Sequence, residues 1–199
     1  MTPEIKNRID QIRRGKMSKG VWTKAKLSEI SIIITGSTPL TVNTEAFNGN
    51  NLFITPSDFQ AGKYIIETIR HLSDSIFETS RIIPANSIYV VCIGATIGKI
   101  NMCQREATCN QQINAVVPNS EVDSEFLYYD IDYTFNREKK RYTGEQALPI
   151  VNKSTFSGLL LNIPSFSEQK KIAKILSAQD KVIELKENLI AEKQRQKNI

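Results

Sequence analysis

The chain opens on a short amphipathic pattern. Ile5, Ile9 and Ile12 recur at spacings of four and three, which places them on one face of a helix. Thr2-Pro3-Glu4 supplies the start of that helix: a hydroxyl cap, a proline at the first helical position and an acid in the first turn. Gly15 supplies its stop, and a basic linker, Met17–Lys24, follows. From Leu27 to Pro164 the pattern shortens. Ile30–Thr35, Leu52–Thr55, Tyr64–Ile69, Ser87–Ile93, Ile97–Met102 and Gln112–Val117 are β-branched or alternating runs, and Gly, Pro, Asn and Asp punctuate them. Such runs predict short strands. Ser124–Asn136 interrupts them as a helix with Phe126, Leu127, Ile131 and Phe135 inward, and Leu159–Ile163 predicts a last strand closed by Pro164.

Ser167, with Glu168 and Gln169 behind it, caps a long helix. Its apolar residues are adjacent pairs repeating every seven, Ile175/Leu176, Val182/Ile183 and Leu189/Ile190, preceded by Ile172. That period is the signature of a coiled-coil seam. A helix over 168–198 extends about 45 Å at ~1.5 Å per residue, more than a β-rich globule covers, so its distal half is expected to need a partner. The elements together predict an α+β fold. A short N-terminal helix and linker span 1–21, a β-rich α/β domain spans 22–166, and a long coiled-coil helix spans 167–199.

Composition narrows the class. With 199 residues, 40% hydrophobic and 24% charged, the chain is long enough for one sizeable core and is neither disordered nor fibrous in composition. Three cysteines, an odd number, fit a reducing cytoplasm better than a disulfide framework. No apolar run approaches the roughly 18 residues of a membrane span. The net charge of +5 is uneven: +6 in residues 1–26, −4 in 27–167 and +3 in 168–199. A basic total ordinarily suggests nucleic acid, but here the middle of the chain is acidic, so charge alone carries little weight.

No catalytic constellation is visible. His71, the only histidine, lies in the polar stretch Ile69-Arg70-His71-Leu72-Ser73-Asp74, with no recognisable nucleophile motif. Cys103 and Cys109 have no second pair to complete a zinc site and read, with Cys92, as buried thiols. Gly94-Ala95-Thr96-Ile97-Gly98-Lys99 superficially resembles a phosphate loop, but its glycine gap is one residue short and Ile100 replaces the Ser/Thr. It reads as a turn between strands. The remaining polar groups suit the reading of base edges, because Asn and Gln match adenine and Arg matches guanine. Asn110, Gln111 and Gln112 cluster before a strand, and Arg70, Arg105 and the run Arg137-Glu138-Lys139-Lys140-Arg141 supply cations. Taken singly, each has a plainer reading as a turn-satisfying amide or a solvated helix face.

The order of the motifs is more specific. It runs W-x4-L-S-E-I (22–30), T-G-S-T-P (35–39), N-L-F-I-T-P-S-D-F (51–59), I-P-A-N-S-I (83–88), G-A-T-I-G-K (94–99), N-Q-Q-I-N-A-V (110–116), E-F-L-Y-Y (125–129) and N-I-P-S-F-S-E-Q-K-K-I-A-K-I-L-S (162–177). In this order the chain resembles one repeat of the specificity (S) subunit of type I restriction–modification enzymes. Phe53 stands where that family often has Trp, and Ser165-Phe166 replaces the more usual Pro-Leu.

The resemblance implies a target recognition domain that reads duplex DNA, followed by a helix that docks methyltransferase (M) subunits. It implies no active site and no cofactor in this chain. S-adenosylmethionine and ATP belong to the M subunits and to a restriction (R) subunit reached indirectly. The expected DNA contacts are Lys63, Arg70, Arg105, Asn110, Gln111 and Gln112, with Lys139, Lys140 and Arg141 on phosphates. Thr35, Ser37, Thr38 and Asn43 form a second rank. Docking and pairing are expected at Ile172, Ile175, Leu176, Val182, Ile183, Leu189 and Ile190, and at Ile5, Ile9 and Ile12. Because the family's subunits hold two repeats and this chain holds one, a homodimer through the C-terminal helix is expected. The alternative reading is a non-DNA interaction protein, a β-rich head on a self-associating stalk.

Overall fold

The computed structural model describes residues 1–14, 22–39, 44–60, 62–144 and 149–197. Helix α1 (Pro3–Arg13) forms where the cap signals predict it, and Thr2 Oγ1 accepts the Ile5 N–H at 3.4 Å. Then come β1 (Thr23–Lys26), a single turn of helix α2 (Leu27–Ile30), β2 (Ser31–Thr35), β3 (Asn51–Ile54), β4 (Arg70–Leu72) and α3 (Asp74–Thr79). The chain continues through β5 (Ser87–Val91), β6 (Ile100–Cys103), β7 (Thr108–Cys109), β8 (Ile113–Pro118), α4 (Ser124–Thr143), α5 (Lys153–Ser157), β9 (Leu160–Ile163) and α6 (Phe166–Lys197).

Strands β2-β8-β5-β6, in that order, make an antiparallel four-stranded sheet. A second sheet, β4-β3-β7, pairs β3 antiparallel to β4 and parallel to β7. A third joins β1 to β9. Every residue of β5 is buried, and alternation explains why. Ile88 and Val90 belong to one core with α1, α4 and α6, while Tyr89 and Val91 belong to another with Leu52, Ile54 and Phe59 of the smaller sheet's side. The four-stranded sheet is therefore covered on both faces.

Helix α1 is part of this head. Ile5, Ile9 and Ile12 are 0%, 5% and 3% exposed, in one core with Ile172 and Leu176 of α6. Arg13 Nη2 reaches the buried Asp130 carboxylate of α4 and donates to Thr134 Oγ1 at 2.9 Å. The expectation that these isoleucines face a partner is thus corrected: burial of apolar area inside the chain already occupies them.

The long helix divides in two. Ile172, Ala173 and Leu176 are buried and Ile183 packs partly against the head, whereas Val182, Leu185, Leu189 and Ile190 are all at least half exposed. Ile172 and Leu176 are therefore core residues in this structure, not a free docking stripe, and Ile175 is half-buried. A polar clamp fixes the proximal half. Lys63 Nζ donates to Ser177 Oγ at 2.9 Å and pairs with Glu125 at 3.1 Å, and Ser177 Oγ donates to Glu125 at 2.6 Å. The Tyr129 hydroxyl donates to Asp180 beside it.

The run Tyr64–Ile69 is no strand. Only Tyr64 bridges to Met102, and Ile66 and Ile69 are 69% and 72% exposed, because no neighbouring strand lies alongside them. Helix α4 runs past Asn136 to Thr143, so Arg137–Arg141 are helical and not loop residues; Gly144, at φ 58°, caps it with its N–H on the Lys140 carbonyl at 3.1 Å.

Candidate nucleic-acid interface

Four chain segments meet at one end of the two sheets. Strand β2 leaves the sheet at Thr35, β7 ends at Cys109, β8 begins at Ile113, and β5 turns towards β6 after Val91. The Gly36-Ser37-Thr38 loop is tied to the amide cluster by its backbone. Gly36 N–H donates to the Ile113 carbonyl at 3.1 Å and Ser37 N–H to the Cys109 carbonyl at 2.9 Å. A Cβ on Gly36 would fall 2.2 Å from the Cys109 carbonyl oxygen, so glycine is required by the close approach.

This geometry sorts the candidates. Thr38 Oγ1 donates to Gln111 Oε1 at 2.7 Å; both residues are exposed, as is Ser37. Half-buried Gln112 has Nε2 3.5 Å from the Ile93 carbonyl. Asn110, 8% exposed, accepts the Gln112 N–H at 3.1 Å and donates to Gln112 Oε1 at 3.0 Å. It is an Asx-type turn residue that shapes the loop, and little of its side chain is left exposed for a base contact. Thr35 likewise donates to Asn114 Oδ1 at 2.7 Å, inside the β2–β8 ladder. Lys63 is engaged elsewhere, by Glu125 and Ser177 in the α6 clamp. Asn43 lies outside the described residues.

Arg70 opens β4 opposite Phe53, two strand spacings from Thr108 of β7, and stacks over Phe47 and Phe53 at 4.9 and 5.0 Å. Arg70 is exposed on the small sheet, towards the end where β3 and β7 finish. Arg105, exposed in the β6–β7 loop, lies near Glu67. Lys140 and Arg141 are exposed on the last turns of α4, and Lys139 is half-buried beside Gly98. Sequence reasoning missed Arg81, exposed, whose Nη1 donates to the Thr35 carbonyl at 2.8 Å. No local motif marks it, since its partner is 46 residues away.

The groups passed over for chemistry are structural. Cys92, Cys103 and Cys109 are buried, and burial pushes the Cys92 and Cys109 thiols up to about 12. His71 sits in β4 against the Glu67 carboxylate. The Gly94–Lys99 segment is a β5–β6 turn, closed by Gly98 N–H on the Val91 carbonyl at 3.0 Å. No helix among the described residues is long and apolar enough to cross a membrane.

A family model described as "Type I restriction modification DNA specificity domain" matches residues 20–194. The chain belongs to this family. It is 33% identical over 162 residues to the type I restriction enzyme HindI specificity subunit of Haemophilus influenzae, covering 77% of this chain and 35% of that one. It is also 33% identical over 186 residues to the MjaIX specificity subunit of Methanocaldococcus jannaschii, covering 90% and 43%. The specificity domain here thus spans less than half the length of those relatives. Among solved structures, the HsdS subunit of Thermoanaerobacter tengcongensis superposes with a TM-score of 0.66 at 18% identity, over 93% of this chain and 50% of that one, a likeness of fold.

Proposed function

We propose that the chain is a DNA sequence-specificity subunit of a type I restriction–modification system. It reads a short duplex half-site through the loops at the Ser37–Gln112 end of the head and docks methyltransferase subunits through α6. The observation that carries this reading is the family match over 20–194. The loop geometry supports it, since exposed Ser37, Thr38, Gln111, Arg81 and Arg70 converge at one end of two sheets held by a rigid scaffold. S-adenosylmethionine is used by the M subunits and ATP by the R subunit, and the assembly works in the cytoplasm.

The exposed stripe Val182, Leu185, Leu189 and Ile190 pairs with the same stripe of a second copy, an isologous contact that continues the core past the head. The decisive experiment maps genomic methylation in cells carrying the M subunits with and without this chain. The modified motif should vanish with the chain. A motif that persists in its absence overturns the proposal.

A further inference from the structure

The Gly94–Lys99 turn separates two polar surfaces. On one side Gln112 Nε2 lies within 3.3 Å of where a Gly94 Cβ would stand, so the reading loops begin there. On the other side a cleft of about 610 Å³ opens, walled by α1, α4 and the start of β6. Three lysines from elements distant in sequence line it: Lys6 of α1, Lys99 of the turn and Lys139 of α4. None forms an ion pair among the described residues, and Lys99 Nζ donates only to the Phe59 carbonyl, at 3.2 Å. The carboxylate in the wall, Asp132, is 5% exposed and is already engaged by the Asn136 amide at 2.6 Å and the Met1 ammonium at 3.4 Å.

The turn and α4 are locked together. Gly98 has φ 90°, and a Cβ there would fall 2.4 Å from Asn136 Oδ1, while the Asn136 amide donates to the Gly98 carbonyl at 2.9 Å. Lys99 and Lys139 are thereby held on two walls of one cleft. Three lysines thus share one cleft with a single carboxylate, the buried and already engaged Asp132, whose charge Lys6 also feels, a placement that an anion explains.

We propose that this cleft takes the phosphate backbone of duplex DNA, with Lys6, Lys99 and Lys139 as phosphate contacts that continue the footprint beyond the reading loops. Lys6 and Lys99 are new in this role, and the proposal rests on the DNA-reading function above. The contacts position the duplex without reading sequence.

The test replaces each lysine by Gln in the full chain, measuring binding to a labelled mixed-sequence duplex between about 50 and about 200 mM salt. Each replacement should flatten the slope of log affinity against log salt by about 0.9 and leave the methylated motif unchanged in cells. Lys6 and Lys99 are exposed and Lys139 half-buried, so the replacements leave the core intact. If the wild-type chain binds with a salt slope that the three variants share, the cleft proposal fails and the reading function stands. If the wild type, with its M subunits, neither binds duplex nor directs methylation, both fail. Inorganic phosphate that binds the lysines while the DNA slope stays fixed marks a small-anion site and also overturns the proposal.

Discussion

At 1% exposure, Gln169 has its amide nitrogen on the Pro164 carbonyl at 3.0 Å and the Glu121 carbonyl at 3.3 Å, while its Oε1 accepts the Asp123 N–H at 2.8 Å. One side chain thus satisfies backbone groups at the starts of both α4 and α6. Gln169→Ala should cost about 1–3 kcal/mol, the penalty for orphaned buried polar groups, as a shift in the urea midpoint. Arg13 holds the more costly pair, because burial raises the Asp130 pKa while the adjacent guanidinium opposes that shift. Arg13→Met strands the Asp130 carboxylate and should destabilise by about 3–5 kcal/mol, whereas Arg13→Met with Asp130→Leu should recover most of that loss. At the reading loops the expected readout is specificity rather than stability. Gln111→Ala should relax one position of the methylated motif at a cost of about 1–3 kcal/mol, and Lys140→Ala should weaken every sequence alike. An unchanged motif in the Gln111 variant would falsify its assignment as a base reader.

Helix α6 serves two environments in sequence order. Its first turns are core, and the Lys63–Glu125–Ser177 clamp sets the angle at which it leaves the head. Burial raises the Glu125 pKa, but the Ser177 and Tyr64 hydroxyls and the Lys63 charge outweigh it and hold the carboxyl below its usual range. A depressed folded pKa stabilises the fold above the unfolded value and loses that contribution as pH falls through the folded one. Acid titration of the wild type should therefore loosen α6 below the usual glutamate range, and Glu125→Gln should remove that part of the pH dependence in hydrogen exchange. The distal half responds differently. Val182→Glu with Leu189→Glu should abolish pairing and M-subunit co-purification without moving the melting temperature of the head. Leu176→Glu, at 1% exposure, should unfold it. Equal effects from the two changes would contradict this division of the helix.

At the scale of the molecule, the exposed stripe of α6 bears on the proposed pairing of two copies. Two copies joined by α6 about a two-fold axis present identical heads in inverted orientation, so the DNA target should be a palindrome split by an unread spacer. Light scattering should give about twice 22.5 kDa. Inserting one heptad into the distal half lengthens the helix by about 10 Å, which is about three base pairs of duplex. It should widen the spacer by that amount and leave the half-sites unchanged. An asymmetric motif, mapped where no other specificity protein is present, rules out the symmetric pair.

The periodicity of the chain determined the class of fold, the two terminal helices and most strands, because alternation and caps are local signals. The ordered motifs carried the family resemblance. Contacts between residues distant in sequence decided the rest. Ile5, Ile9 and Ile12 look like a docking stripe until α4 and α6 cover them, and Lys63 and Asn110 look like free polar groups until Glu125 and Gln112 occupy them. The strand predicted at Tyr64–Ile69 failed because β propensity needs a neighbouring strand, and none lies alongside Ile66 and Ile69. Arg81 and the Lys6–Lys99–Lys139 cleft could not be read from the chain, since only folding brings α1, the β5–β6 turn and α4 around one cleft. A linear pattern records which residues can be buried; the tertiary structure decides which polar groups remain for a partner.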